Sequence, residues 1–137
     1  MNFVEAIRSG FNNYANFSGR ALRSEYWWWV VFAWIAGVVA NIVDSALGWR
    51  VYETTVSGMQ QGTGPIAAIV GLALLIPGLS VAVRRLHDTD RSGWWLLLVI
   101  IPIIGWIVLI VFLASSGTPG SNKYGPPRSS GVLAYPR

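Results

Sequence analysis

The chain has 137 residues, a size that suits one domain, and 53% of them are hydrophobic against 12% charged, about half the charged share of a soluble domain. With a mean hydropathy of +0.49 and a net charge of only +4, the composition excludes a soluble globular protein of this size and gives no nucleic-acid footprint. There is no cysteine, which excludes disulfides and thiol chemistry.

Residues 2–15 are expected to form an amphipathic helix. Phe3, Ile7, Phe11 and Tyr14 recur at helical spacing with Val4 alongside, opposite Asn2, Glu5, Arg8, Ser9 and Asn12. Such a helix lies in the headgroup plane with its aromatic side toward acyl chains, or packs on the rest of the protein. The first residues, MNFVEAIRSG, carry no apolar core and no small-residue cleavage site, so no signal peptide is expected and the first span acts as its own insertion signal.

A turn follows, with Ser18 expected to cap the next helix. Arg20 and Arg23 precede the first span, where their stems reach back to the headgroups. Three windows carry no charge: 26–43, 54–83 and 92–122. Each holds a run able to cross the ~30 Å hydrocarbon layer with about 20 helical residues. The predicted spans are 26–47, 66–83 and 94–114.

Span one opens on Trp27, Trp28 and Trp29, which at about 100° per residue surround the helix as an interfacial collar. Ala33, Gly37 and Asn41 form a small-residue stripe that lets another helix approach. Asp44 is read as a helix end at the far interface. Residues 48–64, rich in Gly and neutral polar residues, form a loop, and Pro65 suits the first turn of span two. Pro77-Gly78 is expected to kink that span. Span three carries Pro102 and Gly105 at its centre. A bend within a full crossing is favoured over a hairpin that returns to its starting side, because 21 residues match a crossing. Residues 115–137 are dominated by Pro, Gly and Ser and are expected to be disordered. The chain therefore divides into one helical membrane domain, 1–114, and a tail, 115–137.

Three crossings place Arg8, Arg20, Arg23, Arg84, Arg85 and Arg91 on one side, against Arg50, Lys123, Arg128 and Arg137 on the other. The positive-inside rule then puts the N-terminus and the 84–93 connector in the cytoplasm. A returning third segment would instead bring the tail to that side and leave Arg50 alone opposite.

FSGRALRSEYWW, RRLHDTDRSGWW, IPIIGW and GTPGSNKYGP occur in that order along the chain. In this combination, over roughly residues 11 to 127, the sequence resembles the DUF805 family of small bacterial inner-membrane proteins. The resemblance implies an inner-membrane location and a multi-span helical fold. It implies no activity.

RRLHDTDRSGWW concentrates the charge. Arg20, Arg23, Arg84, Arg85 and Arg91, with His87, Asp88 and Asp90, form the candidate headgroup or anion site, since guanidinium forks match phosphate oxygens in pairs. Trp94 and Trp95 repeat the collar. On a purely structural reading, Asp90 and Ser92 start span three and Glu25 pairs with Arg84 or Arg85. His87, Asp88 and Asp90 lack the spacing of a metal or catalytic motif, so no enzyme activity, metal or cofactor is expected. The overall expectation is an all-α, non-enzymatic membrane protein. Its partners are anionic lipid and a second copy or another membrane protein, with an oligomeric transporter or channel component as the alternative.

Overall fold

A capping box opens the first helix, α1 (Phe3–Asn12). The Asn2 side chain accepts from Glu5 N (2.8 Å) and the Glu5 carboxylate accepts from Asn2 N (3.0 Å), so two orphan amide donors are satisfied reciprocally. The computed structural model describes residues 1–49, 51–54 and 60–129. Arg50, residues 55–59 of the first loop and the tail end 130–137, with Arg137, lie outside them.

The chain divides into two units, one within 1–30 and 76–129 and the other within 31–75. Two long helices run through both: α2 (Arg23–Ala46) and α3 (Pro65–Asp88), each of 24 residues. At 1.5 Å per residue each extends about 36 Å, long enough and apolar enough to cross a bilayer. Pro65 takes the first position of α3, as expected. The helix then passes through Pro77 without interruption and continues beyond Val83 to Asp88. The first part of the charged connector is thus the last turn of α3, where Arg85 and His87 face the negative end of the helix dipole.

In the unit of Val31–Leu75, Asp44 is fully buried and fastens the start of α3. Its carboxylate accepts from Ile66 N (3.1 Å) and Ala67 N (2.8 Å). Gly64 is required beside it, because a Cβ there would collide with that carboxylate. Between the helices the expected loop contains an antiparallel ribbon, β1 (Val51–Thr54) paired with β2 (Gln60–Thr63), with Val51 opposite Thr63 and Thr54 opposite Gln60. The stripe of Ala33, Gly37 and Asn41 lines a shallow open groove on α2.

In the other unit, α1 packs on the start of α2. Small residues make the closest approach, with aromatic contacts beside them. Ala6, Ser9 and Gly10 are the buried residues of α1, while Val4 and Phe11 stay about half exposed. Gly10 permits the approach, since a Cβ there would overlap the Trp29 ring. Phe3 meets Trp28 edge-on at 5.7 Å, and Phe11 meets Trp29 at 5.5 Å. Trp29 is only 2% exposed, so it belongs to the core. Trp27 and Trp28 remain outward. Ser18 caps no helix, because α2 begins at Arg23. Its backbone N–H instead donates to the Asn16 side chain (3.2 Å).

The third apolar stretch departs most from expectation. It is a 3-10 helix, Gly93–Ile100, followed by α4 (Ile104–Ala114). Pro102 has no N–H to continue a helix, and Ile103 (φ 66°, ψ −71°) is the centre of a γ-turn closed by Ile104 N donating to Pro102 O (2.8 Å). The two limbs then run antiparallel. Trp106 Nε1 donates to Val99 O (2.9 Å), Trp95 meets Phe112 edge-on at 5.5 Å, and Gly105 sits so close that a Cβ would collide with the Leu98 carbonyl. Each limb is about 16 Å long, roughly half a hydrocarbon layer. Both ends of the stretch return to the last turns of α3: Gly93 lies against Val83, and the Leu113 carbonyl accepts from Arg85 Nε (2.9 Å).

The tail is likewise not disordered over 115–129. It is irregular but fastened to the same place, its carbonyl and side-chain groups taken up by buried partners. Low hydrophobicity removes the usual reason for a segment to fold. Here hydrogen bonding to charged groups replaces it.

Candidate functional site

The largest fully buried side chains include three arginines, Arg20, Arg84 and Arg85, together with Glu25. The unit of α1, the start of α2, the end of α3 and the tail is therefore organised around charge. Burying a charge is costly unless it is paired and hydrogen-bonded, and two carboxylates supply most of the pairing.

Glu25, in the first turn of α2, is shared by two arginines. Arg84 Nη1 lies 2.8 Å from its Oε1, and Arg128 Nε lies 3.0 Å from its Oε2. Ser9 Oγ donates to Glu25 Oε1 (2.7 Å) and accepts from Arg128 Nη2 (2.8 Å). Residues from α1, α2, α3 and the tail thus meet at one carboxylate. Arg84 Nε and Nη2 have no hydrogen-bond acceptor among the described residues.

Asp88, at the end of α3, is shared by Arg20 (Nε to Oδ1, 2.8 Å) and Arg85 (Nη1 to Oδ2). The remaining donors of these arginines hold backbone carbonyls. Arg20 Nη1 reaches Gly120 O and Nη2 reaches Thr118 O, both at 2.6 Å. Arg85 takes Leu113 O, Ala21 O (3.2 Å) and Ser115 O. Gly117 is necessary at this junction, since a Cβ would strike the Asp88 carboxylate.

His87 Nδ1 contacts the Gly19 carbonyl (3.0 Å). Gly19 has a φ of 84°, a backbone conformation glycine adopts without a Cβ penalty. The imidazole stacks flat on Tyr124, with centroids 3.8 Å apart and planes 4° from parallel. Asn122 Nδ2 donates to His87 O (2.9 Å).

Of the sequence-predicted residues, Arg20, Arg84, Arg85, His87 and Asp88 come together. The others do not. Arg23 is exposed on the first turn of α2. Asp90 occupies an exposed left-handed turn position (φ 59°). Arg91 stacks its guanidinium 4.1 Å over Phe112. Ser92 caps the 3-10 helix, accepting from Trp94 N (3.3 Å), as expected, and Glu25 takes Arg84, one of its two expected partners. Trp94 is 79% exposed and Trp95 is also outward. An open headgroup pocket built from Arg20, Arg84 and Arg85 does not fit this geometry, because all three are buried and Arg20 and Arg85 are engaged with protein acceptors on every nitrogen.

Sequence reasoning missed Ser9, Thr118, Asn122, Tyr124 and Arg128 as members of the cluster. The available signal was the tail motif GTPGSNKYGP, whose specific order is unlike a random low-complexity segment.

Comparison with known proteins gives a consistent assignment. The family described as "Protein of unknown function (DUF805)" matches residues 14–126. Inner membrane protein YhaH of Escherichia coli (strain K12) is 44% identical over 114 residues, covering 83% of this chain and 88% of that protein. Inner membrane protein YhaI of the same organism is 43% identical over 117 residues, covering 85% and 89%. Uncharacterized protein YiiR, also from Escherichia coli (strain K12), is 28% identical over 135 residues, covering 80% and 84%. No solved structure matches the chain.

Proposed function

This chain belongs to the DUF805 family, and we propose that it is a non-enzymatic, multi-pass protein of the bacterial inner membrane whose cytoplasmic face meets anionic lipid headgroups. Two relatives carry the name inner membrane protein, and α2 and α3 have the length and apolarity of crossing helices. The third apolar stretch enters the bilayer and returns. That topology gathers Arg8, Arg20, Arg23, Arg84, Arg85, Arg91, Lys123, Arg128 and Arg137 on one side and leaves Arg50 on the other. The positive-inside rule assigns the nine to the cytoplasm.

The observation that carries the lipid reading is a division of labour among these cations. Arg20, Arg84, Arg85 and Arg128 are buried and paired with Glu25 and Asp88. Arg8, Arg23, Arg91 and Lys123 reach the surface and have no ion-pair carboxylate among the described residues. A rim of uncompensated cations at the headgroup level attracts anionic lipid, at about 1 kcal/mol per residue. The non-enzymatic reading is supported by the same pairing: Glu25 and Asp88 are each held between two guanidinium groups and are buried.

Native mass spectrometry of the detergent-solubilised protein with equal anionic and zwitterionic phospholipid tests this. The wild type should retain the anionic lipid preferentially, and a variant with Arg8, Arg23, Arg91 and Lys123 all changed to Gln should lose the preference. An unchanged preference in that variant would contradict the rim assignment.

A further inference from the structure

A groove on the outer side of the α3 terminus is lined by Phe17, Val83, His87, Ser92, Gly93 and Trp94. It lies where α3 changes from apolar to charged, so its walls straddle the headgroup boundary. Phe17 (42%) and Trp94 (79%) leave their rings open to the surroundings. His87 is 9% exposed, and one of its two ring nitrogens is accounted for. Because Nδ1 faces a carbonyl oxygen at 3.0 Å, Nδ1 must carry the proton. In the neutral ring this makes Nε2 a bare acceptor. No hydrogen bond is made to Nε2 among the described residues. Arg91, next in the chain to Ser92, adds a cation with no carboxylate partner among them.

We propose that this groove binds the headgroup of a phosphoglycerol lipid, with a glycerol hydroxyl donating to His87 Nε2, the phosphodiester near Arg91 and the upper acyl chain along Phe17, Val83 and Trp94. The chemistry of the groove selects this occupant over other membrane components. An open acceptor in the groove matches a hydroxyl donor, which an ester-only headgroup lacks. The nearby cation calls for a negative phosphodiester. The aromatic walls suit the region where glycerol gives way to hydrocarbon. An ammonium-bearing zwitterionic headgroup brings its own positive charge toward Arg91 and is disfavoured. The stack on Tyr124 and the contact to Gly19 fix the imidazole, so Nε2 is preorganised and little ordering cost remains on binding.

This inference rests on the anionic-lipid reading above and adds a hydroxyl requirement to it. The test compares phosphatidylglycerol with phosphatidylmethanol, an equally charged diester without free hydroxyls, and with phosphatidylcholine, by native mass spectrometry of the full chain. One hydrogen bond predicts about fivefold greater retention of phosphatidylglycerol than phosphatidylmethanol by the wild type. His87→Asn keeps an N–H able to reach the Gly19 carbonyl but removes Nε2, and should bring that ratio to about one. Equal retention of the two anionic lipids by the wild type would overturn the groove assignment while leaving the anionic reading intact. No excess of either over phosphatidylcholine would overturn the anionic reading itself. The wild-type ratio decides the matter even if the variant fails to fold.

Discussion

Arg84 and Glu25 form a 2.8 Å ion pair in which neither side chain is reached by solvent. They lie 59 residues apart in the chain and tie the beginning of one long helix to the end of the next. Such a pair contributes little net stability over an apolar substitute, but breaking it strands a buried charge.

Glu25→Gln removes the carboxylate shared by Arg84 and Arg128 and should lower stability by about 3–5 kcal/mol. Thermal unfolding in detergent measures this, with Arg23→Gln as the exposed control, expected within about 0.5 kcal/mol of wild type. Equal effects of the two substitutions would mean that the cluster does not hold the fold.

The tail should resist proteolysis as far as Arg128, which is 5% exposed. Gly117→Val places a side chain against the Asp88 carboxylate and should release the strap. Trypsin is then expected to cleave after Lys123 and Arg128 rapidly in the variant and slowly in the wild type. Identical rates would show that the strap is not seated.

Trp106→Phe keeps an aromatic ring, though a smaller one, but loses the 2.9 Å bond to Val99 O, and should cost at least about 1 kcal/mol. Gly105→Val should cost more, because its side chain meets the Leu98 carbonyl. A single straight helix over 94–114 predicts neither effect, since Gly105→Val would then raise helix propensity.

Asp44→Ala removes both acceptors at the α3 N-terminus and should destabilise by about 1–2 kcal/mol, with Asp44→Asn retaining part of the cap. Circular dichroism melting of the two variants measures the difference.

The sequence made some features legible and concealed others for physical reasons. Charge-free windows located α2 and α3, because crossing length and apolarity are local properties. The apolar run ends at Val83 while α3 continues to Asp88, because charge marks the end of an apolar environment and not the end of a helix. Pro102 and Gly105 signalled a disruption, yet bend and hairpin differ in which carbonyl the freed space admits. That is settled by the pairing of Trp106 with Val99, a tertiary contact with no local signature. Arg20, Arg84 and Arg85 are legible in the sequence as a cationic group, but their burial is not. Arg20 and Arg85 spend most of their donors on the backbone carbonyls of Leu113, Ser115, Thr118 and Gly120, and backbone acceptors are the same whatever the side chain. Composition likewise made the tail look disordered, when Tyr124 and Asn122 fasten it to His87.

The chain contains no cysteine, so single cysteines report sidedness without background. Cysteines replacing Ser18, Thr63 and Ser121, one at a time, and labelled in intact cells with a membrane-impermeant maleimide, test the doubled-back third segment most directly. Labelling is expected at 63 alone, with 18 and 121 reacting only after the membrane is opened. Labelling of 121 together with 63 in intact cells would mean that the third segment crosses the bilayer, and would contradict the hairpin and the clasped tail together.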